Sequence, residues 1–259
     1  MIPTLVFDLE TIPDAQGLRC LNPTWADLPD DQVIEQALEA RRETHGHDFL
    51  PLYQHRIVVI GCVFRDDQGF RVRALGQADD PEATLISSFF KTIGHYTPTL
   101  VSWNGSGFDL PVLHYRSLVH GVAAARYWET GDDDREFRFN NYLNRYHSRH
   151  VDLMDVLAGY NARASAPLDS LARLCGFPGK LDMDGGQVWQ AWQAGERESI
   201  RQYCETDVVN TWLLYCRWRL LKGELDTAAY AAELQLVRDT LAATPGAHWQ
   251  AFLAAWPPA

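Results

Sequence analysis

The chain has 259 residues, 46% of them hydrophobic, and a formal net charge of −11, enough apolar material for a sizeable core and, by length, for one large domain. The acidic balance excludes a protein that coats nucleic acid, which needs broad phosphate neutralisation, but it leaves room for an enzyme with a local basic path and cation-offset carboxylates. With no signal segment, no apolar run near the roughly 20 residues that span a bilayer, and five cysteines (Cys20, Cys62, Cys175, Cys204, Cys216) lacking any CxxC pair, the sequence reads as a soluble cytoplasmic protein without a membrane, disulfide framework or zinc ribbon.

TLVFDLE, ended by the Pro of TIP, reads as a buried strand. Residues 14–50 are polar and acidic, with helical spacing of Val33, Ile34, Ala37 and Leu38 before a Gly stop, and read as a surface insertion. HRIVVIGCVFRDDQGFRVRALG predicts two strands joined by a turn over Asp66 to Gly69. PEATLISSFFKTIGHY predicts an amphipathic helix on Leu85, Ile86, Phe89, Phe90 and Ile93, stopped at Gly94. TLVSWNG is a short buried strand and FDLPVLHYRSLVHG a second helix, so a right-handed crossover and a partly parallel sheet follow.

Residues 128–150 form a second insertion. From Gly131 they begin acidic and turn basic, with Arg135, Arg138, Arg145 and Arg149 interleaved with Phe137, Phe139, Tyr142 and Tyr146. No period appears, so a long loop is expected. HVDLMDVLAG predicts a short strand or helix, and LDSLARLCGF a helix stopped by Gly176. From Glu198 a long helix is expected, with Tyr203, Asp207, Asn210 and Leu214 along one side. AAYAAELQLVRDTLAAT gives a last helix, followed by a short tail.

Three pieces of chemistry stand out. Side chains alternate along a strand, so Asp8 and Glu10 face one way while Phe7 and Leu9 face the other. Two carboxylates held that close need a proton or a cation, and Mg²⁺ or Mn²⁺ prefer such oxygen ligands; alternatively both reach solvent at a strand end. Asp109 begins a helix just past a Gly-rich turn, where an Asp caps the helix or projects toward the sheet's carboxyl edge. Tyr203 and Asp207, four apart, share a helix face. Two metal ions about 3.5–4 Å apart can hold a phosphodiester between them, and four carboxylates with a phenol suffice to build such a site.

The set FDLET, NGSGFD and YCETD, in that order, resembles the three exonuclease motifs of the DEDD superfamily of 3′–5′ exonucleases. Tyr203, four before Asp207, points to the tyrosine subclass, similar to the exonuclease domain of family B DNA polymerases; the histidine subclass is disfavoured because Gln202 stands where its His would. The resemblance implies an α/β, ribonuclease H-like fold with a mixed central sheet, hairpin plus parallel strands, flanked by helices. It implies one exonuclease domain over 1–259, in which Asp8, Glu10, Asp109 and Asp207 bind two Mg²⁺ or Mn²⁺ ions and Tyr203 orients the attacking water. Thr11, Asn104 and Phe108 fall where the family contacts the terminal nucleotide. The partner it implies is nucleic acid, read as single-stranded 3′ ends with DNA favoured over RNA; protein partners are not legible.

Asp152, in HVDLMD, is expected to cap the following helix rather than add a fifth acid, and His55 and His150 are expected to be structural. Two other functions compete: a nucleic-acid-binding module on the same fold without catalysis, and a haloacid-dehalogenase-type phosphatase. The phosphatase needs a second Asp where Glu10 stands, and an intact acid set counts against lost catalysis.

Overall fold

The structure, a computed structural model, describes residues 2–181 and 183–257. Its centre is β1 (Thr4–Pro13), buried along almost its whole length. β2 (His55–Asp66) and β3 (Gly69–Ala74) form the expected hairpin, with the Asp66 carboxylate accepting the Gln68 amide at 2.9 Å across the turn. β4 (Thr99–Ser102) and β5 (His150–Asp152) complete a sheet ordered β3-β2-β1-β4-β5. The β3, β2 and β1 strands are antiparallel, whereas β1, β4 and β5 run parallel.

The insertion after β1 carries α1 (Ala15–Leu21) and α2 (Asp30–His45), the latter stopped by Gly46 in the left-handed region. Ala15, Leu18, Val33, Ile34, Ala37 and Leu50 give it a small core of its own. α3 (Glu82–Tyr96) follows the hairpin and α4 (Asp109–His120) follows β4. α3 runs past the stop expected at Gly94 and ends at Thr97, whose φ is 45°, because the residue before Pro98 cannot continue a helix. Residues 121–149 are mostly irregular, interrupted by α5 (Ala125–Trp128) and a short 3-10 turn. HVDLMDVL is both things the sequence allowed, β5 and then α6 (Leu153–Leu157).

α7 (Leu168–Leu174) ends just before Gly176 as expected, and α8 (Val188–Gln193) was not anticipated. The long helix is α9 (Arg197–Leu221), and α10 (Thr227–Ala243) follows it. The stretch expected as a short tail contains α11 (Ala247–Ala255), which buries Trp249 and Phe252 in the main core, with Trp256 just beyond it. Cys62, Cys204 and Cys216 are buried, Cys175 is partly so and Cys20 is exposed.

Alternation along β1 sorts the molecule into two layers. Leu5, Phe7 and Leu9 join Leu85, Ile86, Phe89 and Phe90 of α3 and Leu113 of α4 on one face, where each buried side chain contributes about 1.5–3 kcal/mol. Val6 on the opposite face joins Val63, Phe70, Val101 and the α9 residues Val208, Val209 and Trp212. Asp8 and Glu10 have the parity of Val6. They therefore project under α9, near the carboxyl ends of β1 and β4.

Candidate active site

All eight residues singled out from the sequence line one cavity of about 930 Å³: Asp8, Glu10, Thr11, Asn104, Phe108, Asp109, Tyr203 and Asp207. Asp8 and Glu10 come from β1, and ligand atoms of these two and of Cys204 on α9 lie within 4.8 Å of one another. The Cys204 thiol donates to the Asp8 carbonyl at 3.5 Å and sits 3.7 Å from its Oδ2. This approach of α9 to the sheet depends on Gly61, the β2 partner of Asp8, where a Cβ would meet Cys204 Sγ at 2.7 Å and its carbonyl oxygen at 3.0 Å. A glycine inside a strand marks such a close approach.

Asp109 is placed by an unpaired backbone group. β4 pairs with β1 only through Val6, so the Leu9 amide has no strand beside it on that edge. Asp109 Oδ1 accepts that amide at 2.9 Å, satisfying a donor that would be costly to bury alone. It does not cap α4, whose N-cap is Phe108. Asp152 does cap, accepting the Asp155 amide at 3.4 Å, and it also accepts Asn104 N at 2.9 Å and Ser106 N at 2.8 Å. Asn104, with φ of 64°, is thereby held facing the cavity.

Sequence reasoning missed Lys180. Its ammonium donates to the Tyr203 hydroxyl, lies 3.2 Å from Asp207 Oδ2 and sits 4.8 Å from the Tyr203 ring centre. The loop that carries it is pinned to α9 by Asn210, which accepts Gly179 N at 3.1 Å and donates to Gly179 O at 2.9 Å. Phe49, also missed, comes from the first insertion; its ring lies 5.3 Å from His55 and 6.0 Å from Phe108. His55 holds Thr11 Oγ1 at 2.9 Å and Leu50 O at 3.1 Å, and His150 holds Ser102 Oγ at 2.8 Å, so both histidines are satisfied structural residues.

The electrostatics are those of anions held together. Burial, then the charges of Asp109 and Asp207, push the Asp8 carboxyl well above its usual range. Burial, then Asp8 and Asp207, do the same to Glu10. Burial raises Asp109 to about 7 and also raises Asp207, against the pull of Lys180. The Tyr203 phenol is driven far up by burial and by Asp207, Glu10 and Asp8, so it stays protonated. Asp207 Oδ1 is buried without a hydrogen-bond partner among the described residues. An all-oxygen donor set of four carboxylates with an orphaned oxygen suits hard divalent cations.

A mixed sheet in this order with an acid cluster at the carboxyl end of its parallel strands is a ribonuclease H-like fold. It resembles a family B DNA polymerase from the hyperthermophilic archaeon Pyrobaculum calidifontis, with a TM-score of 0.53 and 17% identity over 85% of this chain and 25% of that one. Residues 47–256 match the model of a family described as a predicted 3′–5′ exonuclease related to the exonuclease domain of PolB, and the chain belongs to that family. The family description supports exonuclease activity in general. Asp109, Lys180, Tyr203 and Asp207 lie in the matched span, which Asp8 and Glu10 precede. The chain is 26% identical over 136 residues to the DNA polymerase of Archaeoglobus fulgidus, and 28% identical over 145 residues to the catalytic polypeptide of DNA polymerase epsilon from Aspergillus fumigatus. These stretches cover 51% and 53% of this chain but only 17% and 6% of those proteins.

Proposed function

We propose that this protein hydrolyses single-stranded nucleic acid, DNA in preference to RNA, from the 3′ end to nucleoside monophosphates in the cytoplasm, by tyrosine-type DEDD chemistry with two Mg²⁺ or Mn²⁺ ions. The observation that carries the reading is the gathering of Asp8, Glu10, Asp109 and Asp207 around one cavity, all four with carboxyl groups raised chiefly by burial, Asp8 and Glu10 also by neighbouring carboxylates, and Asp207 with an orphaned oxygen. Bound cations would supply Lewis acidity toward the phosphodiester and a more acidic water. The four carboxylates would hold them.

In the reaction a water oxygen bonds to phosphorus and the bond to the 3′ oxygen of the shortened strand breaks. A nucleoside 5′-monophosphate leaves, one proton of the water passes to solvent, and the departing 3′ oxygen takes up a proton from solvent. Because the Tyr203 phenol stays protonated, it orients the water by hydrogen bonding rather than acting as a base. Lys180 fixes that hydroxyl and supplies positive charge beside Asp207. Phe49 and Phe108 would wall the terminal base, whose π-face suits aromatic contact. Thr11, tied to His55, and Asn104, tied to Asp152 through its amide, would meet its sugar and phosphate.

The test uses 5′-labelled DNA and RNA oligonucleotides with wild type, Asp8→Ala and Asp207→Ala in Mn²⁺ or Mg²⁺. Wild type should shorten the strands stepwise from the 3′ end and spare a 3′-blocked oligonucleotide. Intact substrates with wild type, or undiminished cutting by both variants, would sink the proposal.

A further inference from the structure

The second insertion divides its aromatic and basic residues in two. Phe137 and Tyr142 are buried, and the Arg149 guanidinium lies over Phe137, 3.9 Å from its ring centre, while donating to the Asn140 carbonyl, so these three hold the loop together. Arg145 and Tyr146 do the opposite. Tyr146 is 72% exposed and its ring meets that of Tyr160 edge to face at 5.0 Å. The Arg145 guanidinium sits 4.8 Å from the Tyr160 ring centre, and the Tyr160 hydroxyl donates to the Arg145 carbonyl at 3.3 Å.

Tyr160 also holds a conformation that its type disfavours, with φ of 60° directly after Gly159 at 59°. A bulky residue there is under backbone strain, yet the ring it displays is not buried. The strip adjoins the cavity along the chain. Arg145 pairs with Asp155 at 2.8 Å, next to the cavity-lining Met154. From Tyr160 the chain passes the exposed Arg163 and reaches Ser165, Ala166 and Pro167, which line the cavity. Residues 135–149 hold four arginines and one acid in a chain whose net charge is −11.

We infer that Arg145, Tyr146 and Tyr160 form a docking strip for single-stranded nucleic acid, taking the bases upstream of the nucleotide held in the cavity. Exposed rings stack on any base, and guanidinium groups meet the phosphates between them. The inference rests on the exonuclease reading for its direction, since the strand must run from the strip into the cavity, but its test does not depend on hydrolysis.

Binding of 5′-fluorescein oligo-dT of about four and about twelve nucleotides is measured by anisotropy with Ca²⁺, the lengths bracketing a site that fills the cavity alone and one that also covers the strip. Wild type should bind the longer strand roughly tenfold more tightly or better. The combined variant Arg145→Gln, Tyr146→Ser and Tyr160→Asn should lose that preference; Asn accepts the left-handed backbone at 160. It should keep the wild-type melting temperature and the wild-type rate on thymidine 5′-p-nitrophenyl phosphate, which needs only the cavity. Tyr160→Phe, which keeps the ring, should bind like wild type. The inference is overturned if wild type shows no length preference, as it would were the strip a protein-docking face, or if the folded combined variant retains it. Should wild type cut neither substrate, the exonuclease proposal fails while the anisotropy still decides the strip.

Discussion

Lys180 Nζ donates to the Tyr203 hydroxyl and lies 3.2 Å from Asp207 Oδ2, so one loop cation joins two residues on the same face of α9. Burial works to lower the Lys180 pKa, but the charges of Asp207, Asp8 and Glu10 raise it overall, and the side chain stays cationic. Lys180→Met should therefore cut kcat on oligonucleotides about a hundredfold, the lower range for losing a preorganised hydrogen-bond donor, with little change in KM. It should also lower the melting temperature without metal, because the acids lose their nearest cation. Lys180→Arg restores charge but not the compact ammonium, so it should recover stability and not rate. A rate for Lys180→Met within a fewfold of wild type would count against the assignment.

The acid cluster sets a pH dependence whose sign is fixed. Asp8, Glu10, Asp109 and Asp207 all have raised folded pKa values, Asp109 at about 7. Their contribution to the stability of the metal-free protein is full below the unfolded carboxylate pKa of about 4 and is lost as pH rises through the folded values. Divalent cations displace those protons, so the melting-temperature gain from Mn²⁺ should grow between about pH 5 and pH 8. His114 and His150, both pushed by burial to about 4, cost stability as pH falls below about 6.5, but they act equally with and without metal. The difference between the two melting curves isolates the acids. A gain independent of pH would contradict it.

How much of this was legible in the sequence depends on range. Asp8 and Glu10 were readable because a strand's period of two fixes their common side, and Tyr203 with Asp207 because a helix places i and i+4 together. The hairpin announced itself through Asp66 to Gly69. Lys180 did not, since it sits in an irregular loop 23 residues before Tyr203 and is positioned by the Asn210 side chain, which has no period to show it. Phe49 was hidden for the same reason, its meeting with Phe108 being purely tertiary. The short apolar clusters of α8 and α11 resembled loop and tail because neither is long enough to display a helical period, and both helices are held by packing.

Asp152 illustrates a residue with two duties, of which only the cap was foreseen. It also holds the amides of Asn104 and Ser106, and its charge is one cause of the raised Asp109 pKa, after burial. Asp152→Asn should cost about 1–3 kcal/mol in urea unfolding, the penalty for buried donors left unmatched. With the Asn104 turn loosened, KM for oligonucleotides should rise more than kcat falls. The Mn²⁺ shift should set in at slightly lower pH, as one repelling charge is gone. An unchanged KM would show that the turn does not face substrate.

Gly61 shows that the site depends on a residue with no side chain. The β2 backbone opposite Asp8 lies so close to α9 that a Cβ would stand 2.7 Å from Cys204 Sγ, 3.0 Å from the Cys204 carbonyl oxygen and 3.2 Å from its carbonyl carbon. Two of those three atoms are helix backbone and cannot rotate away. Gly61→Ala must therefore lift α9 off the sheet at the turn that carries Tyr203 and Asp207, and overpacking of this kind costs about 1–3 kcal/mol. Because the same movement separates Asp207 from Asp8 and Glu10, the Mn²⁺-dependent rise in melting temperature should shrink and exonuclease activity should fall by more than tenfold, in keeping with the roughly hundredfold penalty of a misplacement near 1 Å. Trimming the thiol by Cys204→Ala in the same chain should restore only part of the loss, since the carbonyl contact remains. If Gly61→Ala proves as stable and as active as wild type, the close approach of α9 to β2 is not what assembles the site.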